Sequence, residues 1–334
     1  MAAATNTLVR LKRRPVGAPQ AADFELARAP MPRPGADEVL VKVLYLSLDP
    51  ALRPRMNAVS DYAGAVALGE TIPSPAIGVV TETRSPLLNP GDHVFGFLGW
   101  QSHAVAKAAD LRIIDPARAP LPKWMSLLGL SSFTAWIGLT EIGRPRPGET
   151  LVVSAASGAT GAVAGQIARI MGARAVGIAG GPDKCRHVVE ELGFDACVDH
   201  RAPDFSARLD AACPDGIDVD FENVGGGVLR AVFARMNPFG RIVICGLVSD
   251  YNRDGAWPDG PCLWPAVHKS LRIEGFRASR YFDRIPEFTD VALGWAAQGR
   301  LKHSEHISAG IENAPQAFVD MLAGRHIGKA MVEV

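Results

Sequence analysis

Apolar positions along this chain keep two different rhythms. In the first third they form short runs broken by turns. Glu38-Val39-Leu40-Val41-Lys42-Val43-Leu44-Tyr45 reads as a strand bounded by Pro34-Gly35. Residues 77–81 and 93–97 read the same way, the second entered through the turn Asn89-Pro90-Gly91-Asp92. This spacing predicts a compact, partly barrel-like β domain. After about Leu121 strands alternate with helical patterns, as βαβ units require. Strands are predicted over 150–154, 174–178, 217–221 and 241–245. Helices are predicted over 161–171, 184–192 (stopped by Gly193) and 228–235. The final residues, 330–334, read as a strand. No internal repeat or low-complexity segment interrupts the pattern.

At 334 residues the chain exceeds one ordinary core, so two domains are expected. Apolar residues make up 48% and charged residues 21%, which fits a globular protein in water. Lysine plus arginine equals aspartate plus glutamate, 35 each, so charge favours neither nucleic acid nor an anionic membrane as partner. No apolar run reaches the roughly 18 residues that span a bilayer. Residues 1–19 are basic and lack the apolar centre of a signal peptide, so a cytoplasmic location is expected. The five cysteines are scattered and form no CxxC pair, which argues against a disulfide framework and a thiolate zinc site.

The strand at 151–154 runs into Ala155-Ala156-Ser157-Gly158-Ala159-Thr160-Gly161. This is the GxGxxG dinucleotide fingerprint with Ala156 at the first glycine. Gly158 lets the backbone approach a pyrophosphate, and Gly161 lets the helix pack closely on the sheet. Ala159 and Thr160 open that helix, whose N-terminal N–H groups and dipole favour phosphate. The strand before, the helix after and the strand closing the unit are the context the motif requires. An NAD enzyme would hold a carboxylate at the end of the second strand. Here that stretch is Gly177-Ile178-Ala179-Gly180-Gly181, followed by Lys184 and Arg186, with Asp183 the only acid nearby in sequence. Cations welcome an added 2′-phosphate, so NADP(H) is the expected cofactor.

Over its whole length the chain resembles the medium-chain dehydrogenase/reductase superfamily. The resemblance lies in Gly35-Ala36-Asp37-Glu38-Val39-Leu40-Val41, Gly91-Asp92-His93-Val94-Phe95-Gly96 and Pro147-Gly148-Glu149-Thr150-Leu151-Val152-Val153. Within it the chain is most similar to the zinc-independent branch of leukotriene B4 dehydrogenase/prostaglandin reductase, bacterial curcumin reductase and plant double-bond reductases. The matching stretches are Tyr45-Leu46-Ser47-Leu48-Asp49-Pro50, Glu222-Asn223-Val224-Gly225-Gly226, residues 245–252 from Cys245-Gly246 to Tyr251-Asn252, and Glu312-Asn313-Ala314-Pro315-Gln316-Ala317-Phe318. The resemblance implies an α/β fold in which a Rossmann NADP-binding domain, residues 126–302, is inserted into a smaller, partly barrel-like substrate domain, residues 1–125 plus 303–334. It also implies a homodimer and NADPH-dependent reduction of the C=C bond of α,β-unsaturated ketones or aldehydes. The branch's DPYMR stretch is Asp49-Pro50-Ala51-Leu52-Arg53 here, so a pocket tyrosine is missing. Its closing N-x-GK is His326-Ile327-Gly328-Lys329, with histidine where asparagine sits by the nicotinamide. His200 stands where the prostaglandin reductases carry a tyrosine near the adenosine phosphate.

The zinc enzymes of the superfamily use an early cysteine, a GHE histidine and a four-cysteine lobe, none of which occurs here. His303 and His306 form an HxxH that reads as two polar surface histidines. No Tyr-x-x-x-Lys and no G-x-S-x-G is present, so short-chain dehydrogenase and serine hydrolase chemistry find no support. Metal-free enone reduction needs a hydrogen-bond donor for the enolate oxygen and a proton for the α-carbon. Tyr251 is the candidate catalytic donor, placed after a strand end where α/β sites form, with Asn252 bracing its loop. Gly180, Lys184, His200, Asn223, Cys245, Gly246, Tyr251, His326 and Gly328 join the glycine turn as candidate cofactor contacts. Trp100, Phe133, Trp264, Phe276 and Tyr281 are candidates for an apolar wall, with a core position the commoner role for each. A quinone oxidoreductase and a non-catalytic NADP-binding sensor or scaffold are the alternatives.

Overall fold

The computed structural model describes residues 5–60, 63–253 and 262–334. The chain divides into two compact units. One holds residues 5–125, 251–253 and 305–334 of the described chain, the other 126–250 and 262–304.

The first unit contains strands β1 (Thr5–Leu11), β2 (Phe24–Pro30), β3 (Glu38–Ser47), β4 (Ala76–Thr83), β5 (His93–Gly96), β6 (His103–Lys107) and β7 (Arg112–Ile113). Short helices α1 (Leu52–Arg55) and α2 (Leu121–Met125) lie among and after them. The second unit carries α3 (Leu130–Ile137), β8 (Thr150–Ser154), α4 (Ala159–Ile170), β9 (Arg174–Ala179), α5 (Pro182–Glu190), β10 (Ala196–Asp199), α6 (Phe205–Ala212), β11 (Ile217–Glu222), α7 (Gly226–Ala234), β12 (Met236–Ile244), α8 (Trp264–His268), β13 (Arg272–Gly275) and α9 (Ile285–Ala297). The chain returns to the first unit with β14 (Glu305–Ala309), α10 (Ala314–Leu322) and β15 (Lys329–Glu333).

In the first unit β1 and β2 form a hairpin ladder. The main sheet runs β14-β15-β3-β4-β5-β7, with β6 also on β3. β15 completes the sheet antiparallel to β3, pairing Met331 with Ser47 and Glu333 with Tyr45. The core is aromatic at its centre. Trp100 stacks at 5.7 Å on Phe24 and 5.5 Å on Phe318, so Trp100 is a core residue and not a pocket wall. Arg53 is fully buried. Its guanidinium donates to the carbonyls of Pro15 and Gly17 and to Asn57 Oδ1, so a buried charge is matched by acceptors.

In the second unit six parallel strands lie in the order β10-β9-β8-β11-β12-β13. That is the doubly wound order, with its switch point between β8 and β11. Leu151, Val152 and Val153 are buried on both faces, as a central parallel strand requires. Phe133 packs on Trp136 and Phe288 in the core of this unit, the commoner role, while Trp264 is exposed. β12 begins five residues earlier than its apolar run suggests, because Asn237-Pro238-Phe239-Gly240 bulges the ladder to β11 before Arg241.

β11 alternates Ile217, Val219 and Phe221 with Asp218, Asp220 and Glu222. Asp220 pairs in register with Val152 and Ile242, both members of an apolar core cluster, and among the described residues neither carboxyl oxygen meets a hydrogen-bond partner. Burial, reinforced by Glu222, raises its pKa well above the carboxylate range. The folded chain therefore keeps Asp220 protonated while the unfolded chain ionises, and stability falls as pH rises above the ordinary aspartate range. Asp220→Val is expected to stabilise the protein by about 1–3 kcal/mol at pH 8, with a smaller gain at pH 5. Thermal melts at the two pH values check this; equal or negative shifts would contradict it.

Candidate nucleotide-binding and active site

The turn after β8 has the geometry its glycines predict. Ala155 adopts φ 51°, and Gly158, which has no side chain to offer, sits at the N-cap of α4. A Cβ on Gly161 would lie 2.4 Å from the Ala155 carbonyl oxygen, so only glycine lets α4 pass this close to the turn. First-turn N–H groups above a parallel strand form a cradle for phosphate oxygens. Ala159 and Thr160 start that helix.

Three strand ends meet at the switch point through residues that motif reading passed over. The Ser154 hydroxyl donates to Glu222 Oε1 at 2.7 Å and accepts from the Asn223 N–H at 2.7 Å. Asn223 Nδ2 donates to the Ser154 carbonyl at 2.8 Å. Glu222 Oε1 also accepts from the N–H groups of Val224 and Gly225, and the Glu222 carbonyl accepts from those of Cys245 and Gly246. Ser154 and Glu222 thus lock the loops bearing Asn223 and Cys245-Gly246. They lie 68 residues apart, so no local pattern marks the pair. Burial, together with Glu222, pushes the Cys245 thiol up to about 12, which keeps it neutral.

The loop leading to Tyr251 rests on this platform. The N–H groups of Val248 and Ser249 donate to the carbonyls of Asn223 and Val224 at 3.0 and 2.9 Å. A short 3₁₀ turn, Val248–Asp250, then delivers Tyr251, which is half-buried and counted with the first unit. Asn252 does not brace the loop through its side-chain carbonyl. Its Oδ1 is buried and accepts no hydrogen bond among the described residues. Tyr45 is committed elsewhere, donating to Glu333 Oε1 at 3.1 Å. Tyr62 lies outside the described residues.

At the end of β9 the structure adds to the sequence expectation. A Cβ on Gly180 would lie 2.9 Å from His200 Nε2 and 3.0 Å from Arg201 Nε, so both heads fold over this glycine. Burial and Arg201 lower the Lys184 pKa. Burial, Arg201 and Lys184 together outweigh Asp199 and lower that of His200. Lys184, His200 and Arg201 are therefore one mutually repelling cluster. Arg201 escaped the sequence reading, and Arg186 is not a member: it pairs with Asp183 at 3.1 Å on the exposed face of α5. Asp183 is not the only acid nearby. β10 pairs Asp199 with Ala179, and Asp199 Oδ1 accepts from the N–H groups of Gly181 and Arg201 at 2.8 and 2.9 Å. Backbone donors hold that carboxylate low.

Among the described residues no group of three or more His, Cys, Asp or Glu stands close enough to hold a metal. His303 is buried, contrary to the surface reading of the HxxH. Its ring nitrogens reach the Ala159 carbonyl at 3.1 Å and the Ser304 carbonyl at 2.9 Å. In the first unit His326 rings against His306 at 6.5 Å. Gly328 takes φ 76°, and Lys329 after it is buried, donating to Asp49 Oδ1 at 2.5 Å and to the Leu48 carbonyl at 3.0 Å. No helix of the described chain is long and apolar enough to cross a membrane.

Known proteins carry the same organisation. Residues 8–114 match the family described as the N-terminal domain of oxidoreductase, and residues 159–293 the family described as zinc-binding dehydrogenase. The NADPH-dependent curcumin reductase of Escherichia coli (strain K12) is 42% identical over 332 residues, covering 97% of this chain and 95% of that protein. The 2-alkenal reductase (NADP(+)-dependent) of Nicotiana tabacum is 36% identical over 338 residues, covering 99% and 98%. CurA from Vibrio vulnificus, solved in complex with NADPH, superposes with a TM-score of 0.92 at 38% identity, covering 98% of this chain and 99% of that one. Fold and motifs together define a medium-chain dehydrogenase/reductase. Within that superfamily the chain belongs to the zinc-independent branch that includes curcumin, prostaglandin and 2-alkenal reductases.

Proposed function

We propose that this protein reduces the C=C bond of α,β-unsaturated ketones or aldehydes with NADPH, without a metal. The observation that carries the cofactor is the basic cluster at the end of β9, where His200 and Arg201 fold over Gly180 and Lys184 interacts with both. The relatives' named activities support the substrate class. Gly158, Ala159, Thr160 and Gly161 would hold the pyrophosphate. Asn223, Cys245 and Gly246 would line the cofactor, as would His326 and Gly328. Residues 126–302 would form the nucleotide domain, and 1–125 with 303–334 the substrate domain. When bound, NADPH supplies a hydride for the substrate β-carbon. Tyr251 donates a hydrogen bond to the carbonyl oxygen, where negative charge accumulates.

Following NADPH and NADH oxidation against a panel of enones, enals and quinones tests the reading. Turnover of enones or enals with NADPH is expected. Turnover of quinones alone would make the protein a quinone oxidoreductase, and no turnover despite NADPH binding would make it a sensor or scaffold. Elemental analysis is expected to find far less than one zinc per chain, and chelator is expected to leave the rate unchanged. Stoichiometric zinc with chelator-sensitive turnover would overturn the metal-free mechanism.

We also propose a homodimer formed through the β13 edge of the parallel sheet. β13 pairs only with β12 among the described residues, its Ile273 is exposed, and so are Trp264 and Val267 of α8, the helix that precedes it in the chain. Unpaired strand edges flanked by apolar side chains favour association. Light scattering should give twice the 35.5 kDa chain mass, and Trp264→Glu with Val267→Asp should shift it toward one. A wild-type monomer would refute this arrangement.

A further inference from the structure

Glu222 ends β11 at the switch point of the parallel sheet, where β8 and β11 lie side by side and a doubly wound fold binds its ligand outside the strand ends. Glu222 and Ser154, the last residue of β8, are both fully buried. All the side-chain bonds of Glu222 converge on one oxygen. Oε1 accepts from the Ser154 hydroxyl at 2.7 Å, from the Gly225 N–H at 2.8 Å and from the Val224 N–H. Oε2 is buried and meets no hydrogen-bond partner among the described residues. The main-chain carbonyl of Glu222 accepts from the Cys245 and Gly246 N–H groups at 2.9 and 3.1 Å. One residue thus gathers the loops that follow two strand ends. The first of these loops supports a third segment. Gly225 takes φ 82°, and a Cβ there would lie 3.2 Å from Leu247 Cδ2, Ser249 Oγ and Asp250 Oδ2, so the turn leading to Tyr251 is packed directly on its backbone.

We propose that Glu222 and Ser154 are positioning residues for the dinucleotide, and that the site requires of Glu222 a side-chain carbonyl oxygen rather than a carboxylate charge. The proposal rests on reading the switch point as the cofactor site. Both side chains are closed off from solvent, so they act through the loops they hold. A misplacement of about 1 Å is enough to cost about a hundredfold in a positioned reaction. The converging donors need an acceptor oxygen in one place, and Oε1 supplies it. A negative charge has no second use there. Oε2 meets no donor that would stabilise it, and burial outweighs the accepted hydrogen bonds and raises the Glu222 pKa. The neutral acid carries its proton on Oε2, clear of the three donors. An uncharged group also spares the site a fixed negative charge where a dinucleotide brings its own phosphates. Glutamine reproduces this shape and its acceptor. Alanine removes the acceptor and leaves the Ser154 hydroxyl and the Val224 and Gly225 N–H groups without it.

Fluorescence titration of the whole protein with NADPH and with NADH tests this, beside steady-state rates on a slow enone and thermal melts. Glu222→Ala should bind both cofactors about tenfold more weakly, because it disturbs loops that serve both and leaves Lys184, His200 and Arg201 in place. Its kcat should fall as well, since the turn before Tyr251 loses its support. Glu222→Gln should restore both affinities and the rate to within about threefold of wild type. Ser154→Ala should show the alanine pattern more weakly, and it serves if Glu222→Ala does not fold. A lowered melting temperature with wild-type affinities and kcat in the alanine variants would make the pair merely structural and overturn the proposal. Glutamine as damaging as alanine would show that the charge is required and overturn the carbonyl requirement. A loss confined to NADPH would overturn the role in positioning what the two cofactors share. A wild-type protein that binds neither cofactor would overturn the reading of the switch point itself, and this proposal with it.

Discussion

Tyr251→Phe is expected to lower kcat about a hundredfold at unchanged NADPH affinity. The substitution keeps the ring and removes only the hydroxyl. Losing one preorganised oxyanion donor costs about 10²–10³ in rate, and the lower end applies where other donors share the charge. The residues before Tyr251 are tied to the Asn223 and Val224 carbonyls through the N–H groups of Val248 and Ser249. Of the other tyrosines, Tyr45 is held by Glu333, and Tyr281 sits in the 3₁₀ segment Ala278–Arg284. Because the bond strengthens only as the enolate forms, kcat and kcat/KM should fall together. The measurement is steady-state kinetics on a slow enone whose chemistry limits the rate. Wild-type kcat in the phenylalanine variant would make Tyr251 a packing residue.

Lys184→Ala is expected to weaken NADPH binding about ten- to a hundredfold and to leave NADH binding nearly unchanged. That is the range for losing one charge-assisted bond to a phosphate. Arg201 shares the cluster, so Lys184→Ala/Arg201→Ala should lose more than either single variant. His200 adds a pH signature. Its protonated form is disfavoured by burial and by two neighbouring cations, and a dianionic phosphate reverses that balance. Binding then takes up a proton, so NADPH should bind more tightly as pH falls from about 8 toward 6.5, while NADH should not respond. Titrations of both cofactors across that range check the sign. Equal losses for the two cofactors in Lys184→Ala would show that the lysine does not read the phosphate.

The sequence alone determined the elements whose chemistry is local. The run Thr150–Ser154 and the turn through Gly161 need no distant partner to be recognised, because burial on both faces and close helix packing impose their composition directly. The absence of the zinc motifs and the branch resemblance are likewise read along the chain. Strand order was not legible, since apolar runs state that strands are buried but not beside which neighbour. That order puts β8 next to β11, and only then do Ser154 and Glu222, 68 residues apart, lock two loops together. It also puts β10 beside β9 with Asp199 opposite Ala179. This brings Arg201 and a second carboxylate to Gly180. His303 and Trp100 looked available for surface or pocket roles because a polar ring and an indole fit several environments. The fold decided by burying one against the Ala159 carbonyl and the other between Phe24 and Phe318. Contacts between residues distant in sequence depend on the register and crossing of whole elements, which only close packing of the complete chain selects.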